Sequence, residues 1–313
     1  MIRPSSVPGL QPAPISRDIL LGSSAVMEDV REALRRLAPF PWPVRIEGPS
    51  GSGKGVAARL LHQLSPWAAG PFVDHPLTAQ APGLELTDLV GHTRGAFTDA
   101  RDEQPGAFES AHGGTLFLDE VADATRAAQR ALLHLLEHRT VCRVGEHRGR
   151  RLDVRVVVAT NQDLGKAVTR KRFRRDLFHR LGALVVQLPA LREHPDDIPE
   201  LTGAILERKA STVHRTPPAL GVRDIERLMV YSWPGNVREL ENVLEYVIVY
   251  GSLPADIPAA GRRSRLARQL LVRDAIKEHG NKAAAARALG ISRPALYRQL
   301  QRSEGECNDF DEV

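Results

Sequence analysis

Cysteine is scarce in this chain of 313 residues, which contains only Cys142 and Cys307. Two cysteines are too few for a disulfide framework, and their separation does not match the spacing of a metal site. We interpret them as reduced thiols of a cytoplasmic protein, since stable disulfides are rare in that compartment.

Long apolar runs are also lacking, since no segment approaches the ~18 consecutive apolar residues of a transmembrane helix. The N-terminus, MIRPSSVPGLQPAPISRD, is rich in proline and has no apolar signal core. We therefore expect neither secretion nor a membrane partner. Residues 1–17 are predicted to form a disordered leader, and the chain contains no internal repeat.

Positive charge exceeds negative charge, with a net charge of +5 and a sequence pI of about 9.5. This balance fits nucleic-acid binding without establishing it. The last ten residues, EGECNDFDEV, are acidic, and we predict a solvated tail at 304–313. The cationic residues cluster at Arg170–Arg175, at Arg262–Arg268, and at Arg293, Arg298 and Arg302.

The order of the sequence patterns predicts an α/β domain followed by helical segments. Strand-like runs alternate with helical patterns over residues 18–190, which favours a parallel sheet with flanking helices. The predicted strands are 43–48, 114–120 and 153–161. Residues 191–250 form amphipathic helical patterns, 251–265 are rich in Gly, Pro and Arg like a linker, and 266–303 are again helical.

A phosphate-loop motif follows the first predicted strand. The segment GPSGSGKG matches G-x-x-x-x-G-K, in which glycines let backbone N–H groups face phosphate oxygens and Lys54 reaches the β- and γ-phosphates. The order of strand, loop and helix favours a site for ATP and Mg²⁺ over a flexible Gly-Ser loop. Gly55 occupies the place where Ser or Thr normally offers Mg²⁺ a hydroxyl. The predicted nucleotide-binding residues here are Gly48, Pro49, Ser50, Gly51, Ser52, Gly53, Lys54 and Gly55.

Polar residues end the next two predicted strands. Asp119 and Glu120 follow the apolar run LFL, a placement that suits Mg²⁺ coordination by Asp119 and activation of an attacking water. Thr160 and Asn161 end the third strand and could sense the γ-phosphate. The carboxyl ends of parallel strands are where ligands bind in open α/β sheets, so these residues are expected to share one site.

Three arginines are further candidates. Arg174 and Arg180 lie in FRRDLFHRL, and Arg238 lies in WPGNVREL. The first two could form a solvated basic face. Alternatively, they could act as arginine fingers that reach the nucleotide of a neighbouring subunit. Arg238 could reach phosphate from the helical region.

The C-terminal segment has the pattern helix, helix, turn, helix. Gly290 suits the C′ position of the middle helix, and Ser292 can cap the last helix. Arginines on the outer face of that helix suit a recognition helix in the major groove of DNA. A plain three-helix interaction module is the alternative. The predicted DNA-binding residues are Ser292, Arg293, Tyr297, Arg298 and Arg302.

These motifs together resemble the AAA+ domain of bacterial enhancer-binding proteins, the sigma-54-dependent transcription activators. The resemblance covers residues 18–303, because GPSGSGK, GHTRGAFTDA, GGTLFLDE, ATNQDL, FRRDLFHRL, LPALREHPDDIP and WPGNVREL occur in the family's order. It implies an AAA+ P-loop NTPase core at 18–190, a helical lid subdomain at 191–250 and an all-α Fis-type helix-turn-helix at 266–303.

The resemblance also implies roles for the candidate residues. Lys54 and its loop look like Walker A, and Asp119 and Glu120 like Walker B. Thr160 and Asn161 look like sensor I, Arg174 and Arg180 like the intersubunit arginines, and Arg238 like sensor II. The family forms ring hexamers with ATP between subunits, and a dimer is the expected inactive form.

The stretch RGAFTDA resembles the family's GAFTGA loop, which contacts the sigma factor. Phe97, Thr98 and Asp99 are therefore expected to touch sigma-54, since an exposed aromatic residue can anchor a partner. A buried loop aromatic is the alternative. The resemblance implies that the protein binds enhancer-like DNA sites, hydrolyses ATP and remodels the RNA polymerase holoenzyme so that the promoter opens.

The sequence departs from the family pattern at four places. Asp99 replaces a glycine of the loop, and Gly55 and Pro49 replace acids near Lys54. Pro76 replaces an asparagine that restrains the Walker B glutamate in the family, a role that could pass to Asp74 or His75.

These departures motivate an alternative hypothesis. The chain would be a nucleotide-responsive DNA-binding regulator that no longer engages sigma-54, acting as a repressor or with the housekeeping polymerase. A general AAA+ remodeller, such as a chaperone, leaves the loop and the helix-turn-helix unexplained. The short leader has no room for a receiver or other sensory domain, since domains rarely fall below ~50 residues. Control is expected from a separate regulatory protein, from expression level or from a sensor absent from this chain.

Overall fold

The computed structural model describes residues 20–77, 84–96, 102–146 and 148–254. Contacts divide these residues into two units. The first, called the sheet unit, comprises Leu20, Asp29–Gly48 and Gly53–Leu188. The second, called the helical unit, comprises Leu21–Glu28, Pro49–Ser52 and the chain from Pro189 onward. The predicted leader, the residues Phe97, Thr98 and Asp99, most of the linker, the helix-turn-helix and the acidic tail lie outside the described residues.

The sheet unit is built on a five-stranded parallel sheet with the strand order β2-β5-β8-β1-β9. The described part of the chain also contains small antiparallel sheets, β3-β4 and β6-β7. In chain order, the strands are β1 (Val44–Glu47), β2 (Phe72–Pro76), β3 (Gly91–His92), β4 (Gln104–Pro105), β5 (Thr115–Asp119), β6 (Thr140–Val141), β7 (Arg150–Arg151), β8 (Arg155–Thr160) and β9 (Val185–Gln187).

Burial on both faces explains why the central strands read as continuous apolar runs. All six residues of β8 are buried, as are the first four of β5. Parallel sheets covered by helices on both sides select such sequences. The predicted parallel α/β sheet is therefore confirmed, whereas β2 and β9 were not identified from the sequence.

The described helices flank this sheet or form the helical unit, and short 3₁₀ segments lie at Val121–Asp123, Leu191–Glu193 and Pro195–Asp197. None of the helices in the described ranges is long and apolar enough to cross a bilayer. In chain order, the helices are α1 (Ala25–Leu37), α2 (Lys54–Gln63), α3 (Leu84–Val90), α4 (Ala107–Ser110), α5 (Arg126–His138), α6 (Leu164–Thr169), α7 (Arg175–Arg180), α8 (Ile198–Thr212), α9 (Val222–Val230) and α10 (Asn236–Tyr250).

Helix α5 shows how local sequence sets an element. The side chain of Thr125 caps its N-terminus by accepting a hydrogen bond from Ala128 N at 3.2 Å, an interaction worth about 1 kcal/mol. Leu132, Leu135 and Leu136 recur at helical spacing and are buried in the core of the sheet unit. Capping and periodicity therefore agree on where this helix begins and which face it buries.

A buried arginine joins the helices beneath the sheet. Arg155 begins β8, is 1% exposed, and donates hydrogen bonds to Leu37 O at 2.9 Å and Leu61 O at 3.4 Å. Its guanidinium lies 5.4 Å from the centre of the Trp67 ring. Burial lowers the pKa of Arg155 to about 10. Its guanidinium therefore donates hydrogen bonds to carbonyls near the C-terminal ends of α1 and α2, where positive charge is favourable.

The helical unit has a core of its own. Leu201 and Ile205 of α8 pack with Leu240 and Leu244 of α10. Trp233 is 1% exposed at a positive φ of 45°, and its Nε1–H donates to Leu228 O at 2.7 Å. The tryptophan thus holds the turn that leads into α10.

Candidate nucleotide-binding site

The phosphate loop lies between β1 and α2, as the sequence predicted. Gly48 N donates to Thr160 O at 3.2 Å, which fastens the start of the loop to β8. Gly53 precedes α2 with a φ of 93°, a backbone conformation that favours glycine. Lys54 is 6% exposed, and its Nζ donates to Gly48 O at 3.2 Å. The ammonium group is therefore held over the loop, beside the N-terminus of a helix, where anions bind favourably.

Lys54 also meets the predicted Walker B acids. Its Nζ lies 3.3 Å from Glu120 Oε1. Glu120 adopts a left-handed conformation with a φ of 55°, and its backbone N–H donates to Asp119 Oδ1 at 3.0 Å. Its other oxygen, Oε2, accepts a hydrogen bond from Asn161 N at 3.1 Å. A non-glycine residue at positive φ carries strain, and such strain clusters at functional sites.

The two predicted sensor I residues differ in burial and in the hydrogen bonds that they make. Thr160 is fully buried, and its Oγ1 accepts a hydrogen bond from Gln162 N at 3.0 Å, which closes a local turn. Asn161 is exposed and reaches Glu120 through its backbone N–H. Gln162, which sequence reasoning missed, donates to Asp123 Oδ1 at 2.7 Å. Its only sequence signal was a polar side chain directly after a buried strand.

Pro76 lies opposite Asp119 in the register of β2 and β5. The hypothesis that Asp74 or His75 restrains Glu120 is not supported, since the carboxylate of Glu120 engages Lys54 and Asn161 instead. Asp74 faces Arg59 at 3.9 Å, and His75 Nε2 is buried without a hydrogen-bond partner among the described residues. Burial lowers the pKa of His75, and the charges of Asp88, Glu85 and Asp74 oppose that shift.

Within the helical unit, the motif WPGNVREL contacts the segment Pro49–Ser52. Asn236 Nδ2 donates to Ser50 O at 2.8 Å, while Asn236 Oδ1 accepts from Leu191 N at 2.9 Å. Arg238 Nη1 donates to Ser50 Oγ at 3.3 Å, which places this predicted residue at the phosphate loop. Sequence reasoning missed Asn236, which is 2% exposed and has a φ of 53°. Its signal was an asparagine after Pro-Gly, because asparagine tolerates left-handed backbone.

Two glycines of the loop differ in how strictly they are required. Gly51 has a φ of 76°, and a Cβ atom there would lie 2.2 Å from Gly235 O. At Gly55 a Cβ would meet only Phe117 Cε1, at an ordinary 3.7 Å. Gly51 is therefore obligatory, whereas Gly55 could carry a small side chain. Ser52 Oγ is buried and has no partner among the described residues, so the loop retains an unused hydroxyl.

A buried carboxylate fixes the entry to α1 within the helical unit. Asp197 is 0% exposed and accepts hydrogen bonds from Ser24 N at 2.8 Å and Ser24 Oγ at 2.6 Å. His194 Nδ1 lies 2.8 Å from the same carboxylate. These three residues were not singled out from the sequence, because each is an ordinary polar residue until the fold brings them together.

The two candidate arginine fingers are engaged within the chain. Arg174 pairs with Asp176 through Nε–Oδ1 at 2.9 Å and Nη2–Oδ2 at 2.6 Å, and this pairing holds the pKa of Asp176 below its ordinary range. Arg180 Nη2 donates to Leu136 O, near the end of α5, at 3.1 Å. Arg174 lines an open cavity of about 640 Å³ together with Arg126, Lys171, Arg175 and His179.

The segment that carries the predicted sigma contact has a described stem. Its strands pair as Gly91↔Pro105 and His92↔Gln104. Gly91 has a φ of 81°, and a Cβ there would lie 2.5 Å from Gln104 O, so only glycine fits. The stem is thus a close backbone-to-backbone pair.

An ion cluster surrounds this stem. Arg143 donates to Glu109 through Nε–Oε1 at 2.6 Å and Nη2–Oε2 at 2.8 Å. Glu103 lies 3.4 Å from Arg143, and Arg150 lies 3.5 Å from Glu109. Val144 forms an isolated parallel bridge with the stem residue His92. The β6–β7 hairpin is therefore fastened to the stem by both backbone and charge.

Comparison with known families decides what these features belong to. The Sigma-54 interaction domain matches residues 20–187. The chain belongs to the sigma-54 activator family. An AAA+ ATPase lid domain matches residues 192–258, and the Fis family of bacterial regulatory proteins matches residues 271–302. The predicted AAA+ core, lid and helix-turn-helix of a sigma-54 activator are thus confirmed.

Similar proteins include further regulators. The C4-dicarboxylate transport transcriptional regulatory protein DctD of Pseudomonas aeruginosa is 39% identical over 294 residues, covering 90% of this chain and 64% of DctD. The Nif-specific regulatory protein of Herbaspirillum seropedicae is 42% identical over 228 residues, covering 73% of this chain and 42% of that protein. NtrX from Brucella abortus, solved in complex with ATP, is similar with a TM-score of 0.71 and 33% identity, covering 90% of this chain and 69% of NtrX. The chain therefore spans less than two thirds of the length of the first two relatives.

Proposed function

We propose that this chain binds DNA, hydrolyses ATP and uses that energy to remodel the sigma-54 RNA polymerase holoenzyme, which opens the promoter. The observation that carries the proposal is the approach of Lys54 Nζ to Glu120 Oε1 at 3.3 Å, at the phosphate loop of a sigma-54 activator. A cation for phosphate and a carboxylate for water thus lie side by side, as ATP hydrolysis requires.

ATP phosphates would bind the N–H groups of the loop and the ammonium of Lys54. Asp119 would hold Mg²⁺, because this ion commonly takes one or two protein carboxylates together with phosphate oxygens. The residues fit this ion, since the half-buried carboxylate of Asp119 ends β5 directly before Glu120, which pairs with Lys54. Mg²⁺ would neutralise charge that develops on the phosphates.

Glu120 is the proposed base that accepts a proton from the attacking water. Asn161 N–H orients its Oε2, and Lys54 holds its Oε1. Phosphate oxygens compete with Glu120 for the same ammonium. Binding of ATP is therefore expected to free one carboxylate oxygen for the water.

The remaining assignments follow the family. A hexameric ring would place ATP between subunits, with Arg174 and Arg180 reaching the neighbour's nucleotide and a dimer as the inactive form. To do so, Arg174 would have to break its ion pair with Asp176 and then bind a phosphate group. Arg238 would contact the nucleotide of its own subunit. The outward residues of the last helix, Ser292, Arg293, Tyr297, Arg298 and Arg302, would read upstream DNA.

Phe97, Thr98 and Asp99 are the proposed sigma-54 contacts, with control by a separate regulatory protein. A second candidate function is a nucleotide-responsive DNA-binding regulator that does not engage sigma-54. It is favoured by Asp99, which adds charge to that contact segment, and by Pro76 opposite Asp119, which has no amide side chain.

The decisive experiment combines an ATPase assay with open-complex formation on a sigma-54 promoter, using Lys54→Ala as the control. Turnover and promoter opening should both disappear in the variant. Opening that persists without Lys54 would exclude the mechanism. ATP and DNA binding without sigma-54 capture would instead support the second candidate, and restoration by Asp99→Gly would assign the loss to that residue.

DNA binding is tested separately by a salt titration. Affinity should fall as salt rises, because phosphate contacts release counterions. Removal of residues 266–313 should abolish DNA binding and leave ATP binding intact. A truncated chain that keeps its DNA affinity would refute the assignment.

A further inference from the structure

A buried carboxylate outside the nucleotide site lies on helix α3. Glu85 is 3% exposed, and its two oxygens accept hydrogen bonds from Thr125 N at 3.1 and 3.3 Å. Among the described residues, no lysine or arginine forms an ion pair with it. A charge buried in this way is costly unless hydrogen bonds compensate it. The contact with Thr125 therefore fixes the position of α3 relative to the start of α5.

Thr125 connects this carboxylate to the catalytic segment. It follows the 3₁₀ turn Val121–Asp123, which begins directly after Glu120. The same turn is held by Gln162 through Asp123, next to the residue whose N–H binds Glu120. Thr125 also caps α5, and the positive end of that helix favours the negative charge of Glu85.

The other end of α3 runs straight into the stem. The helix ends at Val90, and β3 begins at Gly91. A Cβ at Gly106 would lie 2.3 Å from both Gly91 N and Leu89 O, so the backbones of α3, β3 and the return strand are in direct contact. Helix α3 is therefore joined to the stem without an intervening loop, and close backbone packing links the two.

We propose that Glu85 is a positioning residue whose hydrogen bonds to Thr125 tie α3 and the β3–β4 stem to the segment that follows Glu120. Nucleotide-dependent movement of that segment then carries the stem with it. The direction of this signal, from ATP to the partner loop, rests on the proposed function. The tie itself rests on the contacts of Glu85, Thr125 and Gly91 alone.

Hydrogen exchange of the full chain, with and without ATP, tests the tie without sigma-54. In the native protein, ATP should change exchange both at the phosphate loop and at the stem. In Glu85→Leu, the response at the phosphate loop should remain, and the response at the stem should fall by about tenfold in exchange rate ratio. Glu85→Gln keeps one acceptor oxygen and should restore most of the stem response.

A matched control lies on the same helix. Asp88 is exposed, and Asp88→Asn makes the same carboxylate-to-amide change away from Thr125, so it should leave both responses unchanged. A stem that responds to ATP equally in Glu85→Leu and in the native chain overturns the proposal. So does a native stem that never responds to ATP.

A double-mutant cycle separates this tie from a general loss of stability. Thr125→Pro removes the donor N–H, and its φ of −62° and the extended Ala124 before it are compatible with proline. Thr125→Ala loses the same cap but keeps the donor, and serves as its control. The quantity compared is the change in hydrogen exchange of the stem on ATP binding. If Glu85 acts through this hydrogen bond, combining Glu85→Leu with Thr125→Pro should reduce that response no further than either change alone.

Additive effects in this cycle would refute the proposal, and they would do so even if the fold of one variant is weakened. Failure of the proposed function looks different. In that case the stem responds to ATP through Glu85, but the protein neither captures sigma-54 nor opens a promoter.

Discussion

Replacement of Arg143 by methionine should weaken the sheet unit strongly, because it leaves the partly buried carboxylate of Glu109 without its main partner. The side chains of Arg143 and Glu109 are 6% and 13% exposed, and two hydrogen bonds of 2.6 and 2.8 Å join them. Removing one partner of such a pair costs about 3–5 kcal/mol. Arg150 lies 3.5 Å from Glu109 and would keep part of the compensation. We therefore expect a loss of about 3 kcal/mol, the lower end of that range.

The assay must report on the sheet unit by itself, because a chain with two units does not unfold in one transition. Native-state hydrogen exchange of the amides in Thr115–Asp119 meets this need. The variants are Arg143→Met, Glu109→Gln and the double mutant. The double mutant removes both charges, so it should be less destabilised than the sum of the single variants by about 1–2 kcal/mol. A loss below about 1 kcal/mol for Arg143→Met, or strict additivity, would refute the reasoning.

The same pair predicts a pH dependence with a defined sign. The hydrogen bond from Arg143 holds the folded-state pKa of Glu109 below its ordinary value of 4.5. The unfolded chain therefore binds more protons at this residue, and the contribution to stability is full above 4.5. It is lost as pH falls through the lower folded-state pKa. Arg143→Met should lose most of this acid-sensitive stability, because only Arg150 then remains to lower the pKa of Glu109.

Three further outcomes are expected. Gly55→Ser should be tolerated, since its Cβ would meet only Phe117 at 3.7 Å. It should gain about 0.5 kcal/mol of helix stability and lower the Mg²⁺ concentration needed for half-maximal turnover. Glu120→Gln should reduce kcat by about 10²–10⁴-fold without weakening ATP binding, because Lys54 loses a competitor; a parallel loss of affinity in equilibrium binding would contradict this role. Asn236→Gly keeps the left-handed backbone but removes two hydrogen bonds, so the Kd for ATP should rise by about tenfold, whereas an unchanged Kd would show that this grip on the loop is dispensable.

The sequence patterns predicted the central strands well and the edges poorly. Segments 43–48, 114–120 and 153–161 correspond to β1, β5 and β8, because strands buried on both faces read as continuous apolar runs. The edge strand β2 includes Asp74, His75 and Pro76, and β9 has three residues, so neither produces such a run. The order of the strands depends on long-range pairing, which no local pattern encodes.

The residues of the candidate site also divide into those that the sequence predicted and those that it did not. Lys54, Asp119 and Glu120 lie in motifs whose spacing has a chemical reason, and the structure brings them together. Asn236 and Glu85 were not found, because each is a single polar residue whose partner lies far away in sequence. Their importance comes from burial and from backbone groups that only the fold supplies, which composition and periodicity do not contain.

The backbone contact between Gly91 and Gly106 has a consequence for how this protein could diversify. Because these two glycines pack through main-chain atoms, the base of the stem closes without a side chain at either position. A segment of other sequence could therefore be carried on the same base, provided that Thr93 and Glu103 keep their contacts with Val144 and Arg143. Under the proposed function, partner specificity could then change by substitution in one short segment, while the residues proposed to bind ATP stay the same.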